Sequence, residues 1–278
     1  MSGINGSCFA ETRKHHFQVN GKRMYFNGFN AYWLMCMASD PSTKTKVSDA
    51  FQEASKIGMN MVRTWAFSDG GSKPLQTSPG VYNEDMFKEW IVEMAADIKS
   101  IDKNHLLEIG LEGFYGESMP DKKQNNPGYE VGTDFISNNN LNNVDFATIH
   151  IYPDQWVSGG SPEAQAEFVE KWVKAHIEDC KAVLRKPLLI AEFGKSSWST
   201  GYTVKARDDY FQNIFNMAYE SARSDGSCSG TTFWQVMAEG MDNWGDGYQV
   251  VLEQNPSTAV VIAQQSQKIS SLNSVMEI

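Results

Sequence analysis

The sequence predicts an α/β fold built on parallel strands, and three observations carry that reading. Short apolar runs alternate with amphipathic helical stretches, the pattern of consecutive βα units. Several of those runs end on polar or aromatic groups: Arg63 and Trp65, Glu112, His150 and Tyr152, Glu192, and Trp234. The length, 278 residues, suits a single domain, since one α/β barrel takes roughly 250 residues. A doubly wound sheet alternates in the same way. No G-x-G-x-x-G or G-x-x-x-x-G-K motif marks a nucleotide-binding sheet, however, and functional groups at strand ends belong to barrels.

The elements follow in order. Phe17 to Phe26 reads as a hairpin turning on Asn20-Gly21, a type I′ pair. Its second arm runs into a first barrel strand, Asn27 to Trp33. Lys46 to Ile57 predicts a helix with Val47, Phe51 and Ala54 on one face. Asn60 to Trp65 is a second strand, and the Gly-, Ser- and Pro-rich stretch from Ser68 to Gly80 a loop. Met86 to Ile101 is helical, burying Ile91, Met94, Ala95 and Ile98. Leu106 to Gly110 predicts a strand, followed by a long polar loop from Tyr115 to Gly132. Val144 to Ile151 is a strand. Ser161-Pro162 then opens a helix as N-cap and first residue, burying Phe168, Val169, Trp172 and Ile177. Pro187 to Ala191 is a strand, Asp208 to Ala222 a helix with Phe211, Ile214, Phe215 and Ala218 inward, Gly230 to Trp234 a strand, and Ser257 to Leu272 the last helix. That makes six barrel-type strands, where a closed barrel of this kind has eight.

Composition excludes several classes. A net charge of −10 disfavours nucleic acid and anionic membranes as partners and suits a neutral polymer. No apolar run approaches a membrane span, and Met1 to Phe17 lacks the apolar core of a signal peptide. Asn5-Gly6-Ser7 is a glycosylation sequon. The cysteines, Cys8, Cys36, Cys180 and Cys228, form no C-x-x-C pair, so zinc-ribbon and thioredoxin chemistry are not expected. Secretion would allow a disulfide between Cys180 and Cys228.

Glu192 is the sharpest candidate. It ends the apolar run PLLIA and precedes Phe193-Gly194. A carboxylate costs free energy inside a strand, yet at the C-terminal end of a barrel strand it sits on the rim of a pocket. A strand-end salt bridge is the bland alternative for one isolated glutamate. Hydrolysis of a glycosidic bond takes two carboxyl groups, one attacking or supporting the anomeric carbon and one protonating the leaving oxygen. Glu192 fits the first role. Arg63 would keep it ionised, Tyr152 could donate a hydrogen bond to it, and Trp234 could floor the sugar. Eight tryptophans suit either core packing or sugar stacking.

These residues carry a resemblance. YFNGFNAYWLM, NMVRTWAFSDGG, HLLEIGLEGFYG, VGTDFI, DFATIHIYPDQW, LLIAEFGKSS and TTFWQ resemble, in order, segments of the plant-type endo-β-1,4-mannanases of glycoside hydrolase family 5. The resemblance runs from about Phe17 to Leu272. It implies a (β/α)8 TIM barrel, no cofactor or metal, a β-mannan polysaccharide or oligosaccharide as substrate, and an extracellular, cell-wall setting. It implies Glu192 as nucleophile, with Arg63, Trp65, His150, Tyr152 and Trp234 around the cleavage point. Trp33 and Trp156 lie near segments that contact sugar.

The departure from the family is equally specific. Its acid/base glutamate lies in an Asn-Glu-Pro strand end, and this chain contains no Asn-Glu-Pro. In VYNEDMFKEWIVEMAADIKS the helix start after strand two joins the helix before strand five, near Phe87 to Trp90. The units of strands three and four are absent, on the order of 60–90 residues at the size of a βα unit. The expectation is one domain over residues 1–278 with an internal deletion near residues 87–90, giving an incomplete barrel of about six strands. Such a chain would be inactive or strongly impaired; the alternative is a non-catalytic mannan-binding remnant. Glu112 is the best local substitute for the acid, but it falls in a different segment. Glu108, Asp145 and Glu239 have no better claim.

Overall fold

A computed structural model describes residues 9–39, 41–64, 76–78, 81–82, 92, 95–96, 99–100, 102–128 and 133–275. Its centre is a five-stranded parallel sheet in the order β5-β4-β10-β9-β8. The strands are β4 (Phe26–Asn30), β5 (Met61–Arg63), β8 (Ala147–Ile151), β9 (Leu188–Phe193) and β10 (Cys228–Phe233). All residues of β8, β9 and β10 are buried, as parallel strands covered on both faces require. Gly28 lets β4 approach β5. A Cβ there would lie 2.1 Å from the Met61 carbonyl oxygen, so any side chain would force the strands apart.

Helices Lys44–Lys56, Pro162–Asp179, Val204–Arg223 and Pro256–Val275 accompany the sheet. Ser161 caps the second of these by accepting from the Ala164 N–H, with Pro162 in its first turn. That helix buries Val169 and Trp172, while Phe168 and Ile177 are half-buried at its edge. Phe211, Ile214, Phe215 and Ala218 all face the core. In Lys44–Lys56 the buried positions are Ala50 and Ala54. Phe51, expected inward, is 42% exposed, because the helix lies against the sheet through its smallest residues.

The N-terminal hairpin is present. β1 (Ala10–Arg13), β2 (His16–Val19) and β3 (Lys22–Met24) form an antiparallel sheet. Asn20 and Gly21 both adopt positive φ, 53° and 78°, as a type I′ turn demands. β1 was not foreseen. Neither was the small pair β6 (Gln76–Ser78) and β7 (Val81–Tyr82), whose first strand falls in the expected loop. Within the expected loop from Tyr115 to Gly132, Pro120–Asn125 forms a 3-10 helix.

The sixth expected strand is the main correction. Residues 106–112 run beside β8 but form no regular ladder. The Asp145 N–H reaches the Leu107 carbonyl at 2.8 Å, and the His150 N–H reaches that of Glu112 at 2.9 Å. Between those points side chains take the backbone donors. Leu107 N–H goes to the Asp145 carboxylate, Gly110 N–H to that of Glu108, and Gly110 turns to φ 71°. No ladder joins β5 to this segment among the described residues. The join at residues 87–90, Trp65, and Ile91, Met94 and Ile98 of the expected helix lie outside the described residues; Ala95 is helical and buried.

Cys180 and Cys228 are buried free thiols, so the disulfide that secretion would allow is not formed between them. Burial pushes the Cys228 thiol up to about 12, so it stays protonated and inert.

Candidate active site

The ends of three parallel strands converge on one carboxylate. Glu192, near the end of β9, has a side chain only 10% exposed. Its Oε1 pairs with Nη1 of Arg63, which ends β5. Its Oε2 accepts from the Tyr152 hydroxyl at 2.9 Å and lies 3.4 Å from Nδ1 of His150. His150 and Glu192 are register partners across β8 and β9, so the sheet itself fixes that contact. Tyr152 stands two residues beyond His150, where β8 gives way to the turn Pro153–Trp156.

Burial, together with the Glu192 charge and hydrogen bond, holds the Tyr152 phenol well above its ordinary range. The hydroxyl therefore remains a donor at any physiological pH. Burial pushes the His150 imidazole down to about 4; the Glu192 charge opposes this and Arg63 reinforces it. Its Nε2 is buried without a partner among the described residues, which fits a neutral ring with the proton on Nδ1, facing Glu192. The unfolded ring titrates near 6.5, so between pH 4 and 6.5 the unfolded chain binds the extra proton. Stability is expected to fall as pH drops through that window. His150→Gln should flatten this part of the slope in urea unfolding at several pH values; an unchanged slope would show that the ring is already charged when folded.

Asn30 is a site residue that the sequence did not announce. Its Nδ2 donates to the carbonyls of Ala191, Thr232 and Phe233 at 2.8, 3.1 and 3.2 Å. Its Oδ1 accepts from Arg63 Nη1 at 3.0 Å. One buried amide thus ties together β4, β9 and β10 and aims the guanidinium at Glu192. The only hint was a polar residue ending a strand that also carries Asn27.

Trp234 follows β10 and is half-buried. Its ring stacks on Tyr32, centroids 5.7 Å apart and planes 6° from parallel. Its indole N–H donates to Asp246 Oδ2 at 2.5 Å. Two expected sugar contacts are corrected. Trp33 is fully buried and donates its indole N–H to the Val236 carbonyl at 3.0 Å. Trp156 is buried among Phe114, Phe168 and Trp172. Both are core residues whose polar edge or aromatic faces are already engaged, leaving no free face for a sugar.

Two further carboxyl groups stand close by. Glu108 lies deeper, accepting from the Thr148 hydroxyl at 2.6 Å and from Gly110 N–H at 2.7 Å. Burial raises its pKa, against the lowering influence of Arg63. Glu112 is exposed; desolvation by the surrounding protein and the Glu192 charge raise its pKa. Through its carbonyl it is hydrogen-bonded to His150, the register partner of Glu192.

A parallel sheet with a carboxylate, an arginine and a tyrosine gathered at its C-terminal rim is the framework of a barrel glycosidase. Residues 85–244 match the family described as GH family 5 beta-mannosidase-like. The chain is 40% identical to mannan endo-1,4-beta-mannosidase 4 of Solanum lycopersicum, covering 97% of this chain and 94% of that one. It is 37% identical to mannan endo-1,4-beta-mannosidase 7 of Arabidopsis thaliana, covering 96% and 86%. The structure superposes on a glycoside hydrolase family 5 mannosidase from Rhizomucor miehei with a TM-score of 0.76, over 99% of this chain and 100% of the other, at 16% identity. The chain therefore belongs to glycoside hydrolase family 5, and its fold is of the family's TIM-barrel type, with five parallel strands in the central sheet among the described residues. The tomato alignment spans 377 positions against 278 residues here, so at least 99 aligned positions face no residue of this chain.

Proposed function

We propose that this chain is an endo-β-1,4-mannanase by descent, carrying the nucleophile half of a retaining site and lacking the acid/base half. The observation that carries the reading is the convergence of Arg63 and Tyr152 on the buried carboxylate of Glu192. In this reading Glu192 attacks the anomeric carbon of a β-mannoside and forms a glycosyl ester as the leaving oxygen departs. Arg63 and Tyr152 hold the attacking oxygens, His150 packs beside them and Trp234 floors the sugar. Trp65 is assigned a place at the same rim by resemblance. The aligned length supports missing internal positions; the resemblance assigns them to the join at residues 87–90, and with it the loss of the Asn-Glu-Pro strand. A neutral polysaccharide suits the net charge of −10, and the plant relatives support an extracellular, cell-wall setting. No helix among the described residues is long and apolar enough to cross a membrane.

Without a proton donor, the unactivated mannan bond should break at a trace rate. General acid–base catalysis contributes roughly 10²–10⁴-fold, and lost geometry adds to that. Purified protein incubated with mannohexaose is expected to release only trace product, while affinity electrophoresis in galactomannan should show retardation. Retardation with no cleavage at all would favour the binding remnant. A second reading has one observation in its favour: the raised pKa of Glu112 beside Glu192 is the behaviour of a proton donor. Robust mannohexaose cleavage, lost in both Glu192→Gln and Glu112→Gln, would establish Glu112 as a substitute acid.

A further inference from the structure

We propose that Trp198 forms an additional sugar-stacking subsite, one that takes a β-1,4-linked mannose unit away from the cleavage point. The inference rests on the mannan reading above and names a residue beyond it. Trp198 lies in the loop following β9, six residues after Glu192 and on the same rim of the sheet. Its side chain is 73% exposed. A single exposed apolar residue is ordinary on a protein surface; what distinguishes this one is how firmly it is held.

Its backbone N–H donates to the Ser196 hydroxyl at 3.2 Å. Ser196 is itself buried and donates its N–H to Asp154 Oδ2 at 2.8 Å. The Ser199 hydroxyl donates to the same oxygen at 2.9 Å. The Ser197 N–H reaches the Gly247 carbonyl at 2.7 Å. Gly247 packs directly beneath the indole. A Cβ built there would sit 2.8 Å from Trp198 Cδ2, and the residue has φ +88°. The ring thus rests on bare backbone and turns its free surface outward.

The turn that supports it also serves the cleavage site. Asp246, just before Gly247, accepts from the indole N–H of Trp234. Tyr248, just after it, packs edge-on against Tyr152 at 5.2 Å and bonds Asp154 through its hydroxyl at 3.2 Å. Asp246, Gly247 and Tyr248 therefore position Trp234, Trp198 and Tyr152 respectively. An exposed indole backed by Gly247, on the same turn that holds Trp234 and Tyr152, offers its face to the axial hydrogens of a pyranose ring. Aromatic groups supply such area at low cost in side-chain freedom.

The test is calorimetric titration of the full chain with mannohexaose and mannotriose, comparing wild type with Trp198→Ala and Trp198→Phe. Trp198→Ala is expected to weaken mannohexaose binding about tenfold and leave mannotriose binding unchanged, with Trp198→Phe in between. The urea midpoint should not move, since the side chain is exposed. Wild-type binding of mannohexaose with an unaltered constant in Trp198→Ala would overturn the subsite and leave the mannan reading standing. Equal weakening of both ligands would also overturn it, because Trp198 would then act at the cleavage point. Failure of the wild type to bind mannohexaose would overturn both.

Discussion

With strands three and four restored between Phe87 and Trp90, the chain is expected to hydrolyse mannohexaose at least about 10²-fold faster than it does without them. The effect should be large because the missing units carry a whole chemical function. Glu192 can attack, but an alkoxide leaving group departs only when its oxygen is protonated in the transition state. The restored strands would also supply neighbours for β5 and for residues 106–112, between which no ladder forms among the described residues. Unpaired strand edges promote association, so the restored protein should be more stable and less prone to aggregate. An insertion that folds cooperatively yet leaves mannohexaose intact would point to a defect elsewhere in the site and count against a loss confined to the acid.

The second large effect separates the two halves of the reaction. A dinitrophenyl β-mannoside carries a leaving group that needs no proton. Its departure should therefore proceed in this chain, at a rate far above that for mannohexaose. Glu192→Gln is expected to remove that reaction by several orders of magnitude, since the amide keeps the shape but cannot attack. Equal rates in wild type and Glu192→Gln would mean that another group, or water alone, performs the displacement.

The fold was legible where local chemistry and tertiary packing agree. Asn20-Gly21 fixed the hairpin because few other pairs accept two positive φ values. The runs at Ala147–Ile151, Leu188–Phe193 and Cys228–Phe233 stood out because strands buried on both faces are mostly apolar or small. Glu192 was legible for the converse reason, a charge at the end of such a run. The sequence misled where side chains outcompeted the backbone pattern. Residues 106–112 look like a strand, but Asp145 and Glu108 capture two of their N–H groups. Trp33 and Trp156 stand in segments that resemble sugar contacts, yet no local pattern distinguishes an indole that finds a carbonyl inside the core from one that faces the cleft. Asn30 was missed because its four hydrogen bonds come from three other strands, a relation that no short window contains.

Glu192 is expected to remain a working nucleophile in a site without its acid. Intact-mass and peptide-mapping analysis of protein quenched during reaction with dinitrophenyl β-mannoside tests it most directly. Deglycosylation needs a general base to activate water, so the glycosyl-enzyme should accumulate. The expected result is one mannosyl adduct per chain, located on the peptide containing Glu192 and absent from Glu192→Gln. An unmodified protein that still releases dinitrophenol, or an adduct on any other residue, would contradict it.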